Sequence, residues 1–545
     1  MSSADLETGS VGADVCIVGA GPVGLALAFK LEALGLAVAL LEMGADGSGD
    51  DAGAGGIEFK NGRHAPSPAM SHPGIGGASA LWGGRCVTFD DLDFETRSHV
   101  PFSGWPISHE ALRRHYPEAL AFLNCNAGEP LLDDLGVSDA TVTTDALEHW
   151  SRAPDLGPRC SKHLQLSQRI RLLNAAVTGI VLDPSGKRVE CLAACQEGKE
   201  IRITARTFVL AGGGLENARL LLSLQQDRPE LLGGSDGPLG RFYQGHLTGY
   251  IAVLQFDRPE MAKQFAFRLD DKGSVFRRRL QIVPAVQARE ELLNCVFWID
   301  AISIADPVHG SGTLSLAYLL LRTLGLYRRL SKGLAPTARG PRHIDRRGHW
   351  RNIRADRPAA RDLAGSLRNL LKRRFGRWRT LINPKGRYLL RYHAEQVPNP
   401  ESRATLQPSG TPGRRRVLAV DYRVVDQDLD SVLKSHEILD AWLRRNELGR
   451  LEYLHDASAR RQAVLDQAFD GYHQIGLSRI SETPANGVAD ADCKVHGIAN
   501  LYLAGSSLFP TGGHANPTLP AVALALRLAD HLKDVVANVS KVEAA

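Results

Sequence analysis

The 545 residues contain no apolar run approaching the roughly 18 that a membrane span requires. The acidic N-terminus has neither the basic nor the apolar region of a secretory leader. A membrane-spanning or secreted protein is therefore not expected, and the sequence reads as cytoplasmic. The eight cysteines are scattered, without a C-x-x-C pair, and only Cys191 and Cys195 lie close together. Neither a disulfide framework nor a zinc site is expected, and reduced, mostly buried thiols are. Internal repeats and low-complexity tracts are missing too. A chain this long exceeds one hydrophobic core and points to two domains, interleaved in sequence.

What is present begins with a nucleotide signature. The apolar run Ala13-Asp14-Val15-Cys16-Ile17-Val18 suits a buried strand and leads into Gly19-Ala20-Gly21-Pro22-Val23-Gly24, after which residues 25–34 have helical composition. Glycines are required where the chain turns tightly, approaches a pyrophosphate and lets a helix lie on a strand. The helix N-terminus then faces the phosphate charge. A second apolar run, Ala37 to Leu41, ends in Glu42, about 20 residues on, where a carboxylate can accept hydrogen bonds from a ribose.

Further along, Gly74 to Gly84 forms a second glycine-rich loop with no helical pattern after it, whose amides could wrap an extended cofactor. Val177 to Leu182 and Val189 to Ala194, joined by Asp183-Pro184-Ser185-Gly186, predict a hairpin. Thr207 to Gly214 runs as a strand into glycines, and Glu216 to Leu222 begins a helix, a second crossover returning to the nucleotide sheet. The stretches 250–256, 279–286, 295–302, 388–395 and 417–424 read as strands without intervening helices, hence an antiparallel wall. Ser431 to Arg445 predicts a helix with Val432, Ile438, Leu439 and Trp442 on its buried side. Leu501 to Ser506 closes as strand and turn, and Asn516-Pro517-Thr518 opens an apolar helix over 519–532.

Charge is unevenly spread. Between Arg322 and Arg387 stand 20 Lys and Arg against three Asp, so the rest of the chain is net acidic although the whole carries +5. This basic stretch, an insertion over 310–387, opens with Leu314 to Leu321, continues through Tyr327-Arg328-Arg329 and includes Leu370 to Trp378. Two readings stand open: an interfacial helix on anionic lipid, and a solvated helical hairpin capping the domain. No nucleic-acid-binding module accompanies the charge, and no such partner is expected.

Together the motifs resemble the glucose-methanol-choline (GMC) oxidoreductases over most of the chain. The residues that carry the resemblance are Gly19 to Gly24 with Glu42, Gly76 to Gly84, Gly104-Trp105-Pro106-Ile107, Val209 to Leu222, Gly240-Arg241 with His246, Tyr472-His473, and Asn500 to Asp530. Glu395 to Arg403 is similar to the bacterial, sugar-oxidising branch related to pyranose oxidase and fructose dehydrogenase. The resemblance implies an α/β fold in which a Rossmann-like FAD-binding domain interleaves with an α+β substrate domain built on an antiparallel sheet. Residues 1–95, 165–249 and 460–545 would form the FAD-binding domain, and 96–164 and 250–459 the substrate domain. It also implies oxidation of an alcohol carbon to a carbonyl, with oxygen, a quinone or a cytochrome taking the electrons.

The catalytic pair carries over to His473 and Asn516. An imidazole near neutral pKa takes the hydroxyl proton, an amide bonds the same oxygen, and hydride leaves for flavin N5. Asn516 could equally cap the closing helix. Cofactor contacts are implied for Gly19, Gly21, Gly24, Glu42, Gly76, Gly77, Ser79, Leu81, Trp82, Val177, Gly505, Ser506, Pro517 and Thr518. Relatives with covalent flavin carry a histidine near Leu81, and leucine cannot form that bond, so noncovalent FAD is expected. Many relatives have aspartate where this chain has Gly505. His514 is either a third polar contact to substrate or a solvent-facing loop residue.

A sugar, glycoside or polyol is the expected substrate, with a steroid or other apolar alcohol as the alternative. Flavin aromatic hydroxylases share Gly19 to Leu25, but Ala504-Gly505-Ser506-Ser507 lacks their closing motif. A flavin-fold binding protein without redox activity, as in prenyl-protein escort factors, is disfavoured by an intact His473 and Asn516.

Overall fold

A computed structural model describes residues 8–44, 56–125, 128, 132–137, 139–327, 345–357, 381–407 and 416–544. The first strand, Thr8–Val18, pairs in parallel with Val38–Glu42 on one side and Lys199–Leu210 on the other. Ile170–Asn174 extends the first flank, and the antiparallel strands Val189–Gln196 and Ala176–Leu182 extend the second. Leu501–Leu503 adds to Lys199–Leu210 in parallel. The register aligns Val18 with Leu41 and with Leu210, and Leu210 with Leu503. The parallel strands thus end level, and ligands of open α/β sheets bind beyond such an edge.

Two helices cover this sheet. Pro22–Ala33 follows the glycine turn with Leu25, Leu27 and Leu31 fully buried, and it lies against the closing helix Thr518–Ala544. Proline at the first helical position costs nothing there, because its missing N–H would have no partner in the helix. The turn itself admits little change. A Cβ at Gly24 would stand 1.9 Å from the Gly19 carbonyl oxygen.

The second sheet is antiparallel throughout. Its order is Gly449–Tyr453, His246–Phe256, Arg387–Glu395, Cys295–Asp300, Val275–Ile282, Val142–Trp150 and Arg85–Cys86. Alternation along each strand sends opposite kinds of side chain to the two faces. Leu247, Leu254, Leu280, Phe297, Leu390 and Tyr392 join one core with Val432, Leu439 and Trp442 of the helix Asp426–Arg445. Each such buried side chain contributes on the order of 1.5–3 kcal/mol of transfer free energy. The other face carries His246, Thr248, Tyr250, Arg277, Arg279, Gln281, Trp298, Asp300, Arg391, His393 and Glu395.

The structure departs from the sequence expectations in several places. The strand expected over 279–286 ends at Ile282, because Pro284 starts the short helix Pro284–Arg289. Val417 to Val424 does not join the antiparallel wall: Leu418–Asp421 forms a separate small sheet with Arg403–Leu406 and Ile57–Phe59. Arg85–Cys86 and His246 to Gly249, expected on the nucleotide side, pair into the second sheet. The run Leu314 to Leu321, read either as lipid-facing or as a cap on the domain, lies in the helix Gly312–Thr323, which buries Ala317 and turns Leu314, Tyr318 and Leu321 inward against Ile304 and Leu381. Its main apolar face is already covered by protein. Leu370 to Trp378 and Arg328-Arg329 lie outside the described residues.

Gly24→Ala is expected to lower unfolding free energy by about 1–3 kcal/mol, the cost of overpacking a closed site. Urea denaturation measures it, and an unchanged midpoint would show that the turn can open without strain.

Candidate functional site

Beyond the level strand ends lies a cleft of about 280 Å³ lined by Gly19, Gly21, Glu42, Gly77, Val177, Gly505, Ser506, Pro517 and Thr518, all expected from sequence. Three helices, beginning at Pro22, Gly214 and Thr518, start at its wall. Helix N-termini, with their positive dipole ends, make a favourable place for an anionic diphosphate. A Cβ at Gly21 would meet nothing within 4 Å, so the backbone there stays open to a ligand. The donors, the glycine backbone and the cleft fit FAD.

Glu42 is nearly buried, and its two oxygens accept from the Ala20 N–H at 2.6 Å and the Gly74 N–H at 2.9 Å. Burial pushes its carboxyl up to about 7 against the pull of those two hydrogen bonds. The residue expected to meet a ribose therefore also ties the first glycine turn to the second glycine loop. That loop is fastened again by the Gly76 N–H donating to the Ala20 carbonyl. The loop itself contains a short helical turn, Gly77–Ala80.

Five expected cofactor residues do not line the cleft. Gly24 lies inside the helix, and Gly76 packs against Gly157. The Ser79 hydroxyl donates to the Gly76 carbonyl and accepts from the Leu156 N–H. Leu81 is 45% exposed, and the Trp82 indole donates to the Pro154 carbonyl. Sequence reasoning missed Met43, His72, Tyr472 and Gln474, which do line it. Gln474 also accepts from the Leu215 N–H, joining the His473 segment to the helix Gly214–Asp227.

At the far end the structure brings His473 and Asn516 together, with the Asn516 Nδ2 3.1 Å from the His473 Nε2. The Asn516 Oδ1 has no partner among the described residues. His473 Nδ1 lies 2.9 Å from Asp470 Oδ2 and 3.0 Å from His246 Nδ1. His246 Nε2 in turn lies 3.1 Å from the Gly513 carbonyl, which can only accept. One tautomer set satisfies every link. His246 carries its proton on Nε2 and His473 on Nδ1, leaving the His473 Nε2 lone pair toward Asn516.

Asp470 anchors this arrangement. Its Oδ1 accepts from the N–H groups of Gly471, Tyr472 and His473, and its Oδ2 from the His246 N–H. Burial alone would raise the carboxyl, but the adjacent His473 and these donors hold it down to about 2. Burial lowers His246 to about 3, so it stays a neutral ring. His393 stacks on His246 at 4.3 Å between centroids, and nitrogens of these two rings and His473 lie within 4.8 Å of one another. Neither Asp470, His246 nor His393 was singled out as a site residue by sequence reasoning.

His514 is buried, which removes the solvent-facing reading, and its Nε2 lies 2.9 Å from Asp90 Oδ2. Asn294 donates to both Asp90 and Asp93, and Gln281 donates to Asp90. Burial and the charge of Asp90 raise Asp93 to about 7, while His514 and these donors hold Asp90 low against its own burial. The polar sheet face continues outward. Glu148 accepts from Arg277 and pairs with Arg85, and Arg97 grips Glu395 through two bonds of 2.7 and 2.6 Å.

Comparison with known proteins finds flavoenzymes. Residues 14–233 match the family described as FAD dependent oxidoreductase, and residues 398–525 match the GMC oxidoreductase family. The chain is 21% identical to 2-methyl-1,2-propanediol dehydrogenase of Mycolicibacterium austroafricanum over 95% of each protein. A 112-residue stretch, 20% of each chain, is 33% identical to C-glycoside 3-oxidase of Arthrobacter globiformis. The fold is similar to that of a fungal aryl-alcohol oxidase, with a TM-score of 0.51, 15% identity, and 96% and 99% of the two chains covered. The chain thus carries an FAD-dependent oxidoreductase domain and a GMC oxidoreductase C-terminal domain, and it is an FAD-dependent enzyme acting on the CH–OH group of alcohols.

Proposed function

We propose that the enzyme oxidises a hydroxyl-bearing carbon of a sugar, glycoside or polyol to a carbonyl, with His473 as the base. The carrying observation is the His473 ring, fixed at Nδ1 by Asp470 and His246 and meeting Asn516 at Nε2. FAD, when bound, supplies the acceptor for the hydride. The substrate hydroxyl gives its proton to His473 Nε2, and the Asn516 amide donates to the same oxygen, holding it as charge develops. Asp470 stays ionised throughout and stabilises the imidazolium that forms, as its low pKa requires. Neutral His246 accepts at Nδ1 without competing for that charge.

The polar face of the second sheet supports a sugar or polyol over an apolar alcohol. His393, Arg279, Gln281 and Asn294 stand near the catalytic cluster, and buried polar groups reject partners that leave them unpaired. The short similarity to C-glycoside 3-oxidase points the same way.

Asp470→Asn is expected to lower kcat by about 10²–10⁴, the range for loss of oriented proton transfer, while leaving bound flavin unchanged. Stopped-flow flavin reduction measures this, and a loss under twofold would remove Asp470 from the mechanism.

Anaerobic addition of the correct sugar or polyol should bleach the oxidised flavin spectrum. Bleaching by apolar alcohols alone would overturn the substrate class. We also propose noncovalent FAD, because Leu81 offers no nucleophile. Acid precipitation of the same preparation should leave all flavin in the supernatant, and a yellow pellet would contradict this.

A contact with anionic membrane keeps a narrower basis. Leu320 and Leu324, at the end of the helix Gly312–Thr323, are 42% and 67% exposed, and Trp350 on the neighbouring helix Arg346–Ala355 is 54% exposed. Sedimentation with phosphatidylserine vesicles should fall for the triple variant L320S/L324S/W350S. Equal pelleting of variant and parent would dismiss the contact.

A further inference from the structure

A cleft of about 570 Å³ lies apart from the cofactor cleft, sharing none of its residues and none of the catalytic cluster. Its walls include Phe102, Trp105, Phe242 and Arg479, with Arg241 beside them. The Trp105 indole donates to Thr511 Oγ1 at 2.9 Å, and that hydroxyl donates to the Asp93 carbonyl, so one layer of side chains divides this cleft from the His514 cluster.

Two features set it apart from an ordinary crevice. The first is backbone strain: Phe102 and Phe242 both have φ of 60° and meet edge to face at 5.0 Å. Left-handed backbone is unfavourable for a bulky side chain and persists where its surroundings impose it, and of the eight such non-glycine residues described, the two phenylalanines both line this cleft. The second is an uncompensated cation. Arg479 is 5% exposed, donates from Nη2 to the Phe102 carbonyl and lies over the Phe242 ring, yet its Nε and Nη1 have no acceptor among the described residues. Among the described residues no carboxylate pairs with it, and burial lowers its pKa to about 10. The acidic residues of the cleft, Asp236 and Glu482, are exposed, where solvent screens them. A buried charge ordinarily has a partner.

We propose that this cleft is a second ligand site, taking a small aromatic oxyanion such as an aryl carboxylate. Arg479 supplies the counter-charge, Arg241 adds to it, and Phe102, Trp105 and Phe242 accept the ring. The volume suits a ring-bearing molecule rather than a bare inorganic anion. Charge selects the ligand and the aromatic walls orient it. This reading stands independently of the proposed substrate.

The test uses FAD-loaded enzyme and ¹⁹F NMR titration with 4-fluorobenzoate and its neutral counterpart 4-fluorobenzamide. Benzoate is expected to bind saturably, with the amide at least about tenfold weaker, the difference a charge-assisted bond makes. Arg479→Met should weaken benzoate binding by a similar factor, and Arg241→Met should weaken it less. Equal binding of acid and amide overturns the proposal, as does failure of benzoate to saturate. Unchanged binding by R479M would place the probe elsewhere, including the catalytic site, and also overturns it. If R479M does not fold, the wild-type acid-against-amide ratio and R241M decide the matter.

Discussion

The buried carboxylate of Asp470 is the constraint on which the arrangement of His473 and His246 depends. One oxygen gathers three successive N–H groups of the 471–473 turn, and the other gathers the His246 N–H and the His473 ring. A single side chain therefore fixes the backbone that presents the imidazole, the ring's tautomer, and the seam between that turn and the second sheet. Removing five donors from water around one anion is tolerable because they replace its hydration shell almost completely. The same economy recurs at Glu42, where one buried carboxylate joins two glycine loops.

The cofactor end was largely legible in the sequence because its determinants are local. A strand, a glycine turn and a helix follow within two dozen residues, and the steric reason for Gly24 lies five residues away at Gly19. The closing strand and helix were equally plain from apolar runs with Pro517 between them. His473 and Asn516 stood out through family likeness, since neither periodicity nor composition distinguishes one histidine among 18. The structure brings the two together, at 3.1 Å.

What escaped the sequence is long-range. His246 meets His473 across 227 positions, and no local pattern announces that pairing. Asp470 lies only three residues before His473, in the i, i+3 relation common at turns, but its role depends on the His246 N–H and on burial. The helix Gly312–Thr323 stayed open between two readings for a related reason. Its leucines match an interfacial pattern, and only tertiary packing on Ile304 and Leu381 shows which face is already occupied. Leu81 and Trp82 sit in the right loop, yet that loop turns them away from the cleft.

The strand Leu501–Leu503 and the helix Thr518–Ala544 complete a sheet and a layer begun by Thr8–Val18 and Pro22–Ala33. During synthesis, the first glycine turn emerges long before the residues that finish its cleft and before His473 and Asn516. The nucleotide sheet must wait, part-built, for some 480 residues of later chain to appear. Contacts so distant close slowly and leave strand edges unpaired meanwhile. The cleft is thus a joint product of distant segments: Gly505, Ser506, Pro517 and Thr518 close the wall that Gly19 and Gly21 begin, so its shape depends on contacts spanning nearly 500 residues of sequence.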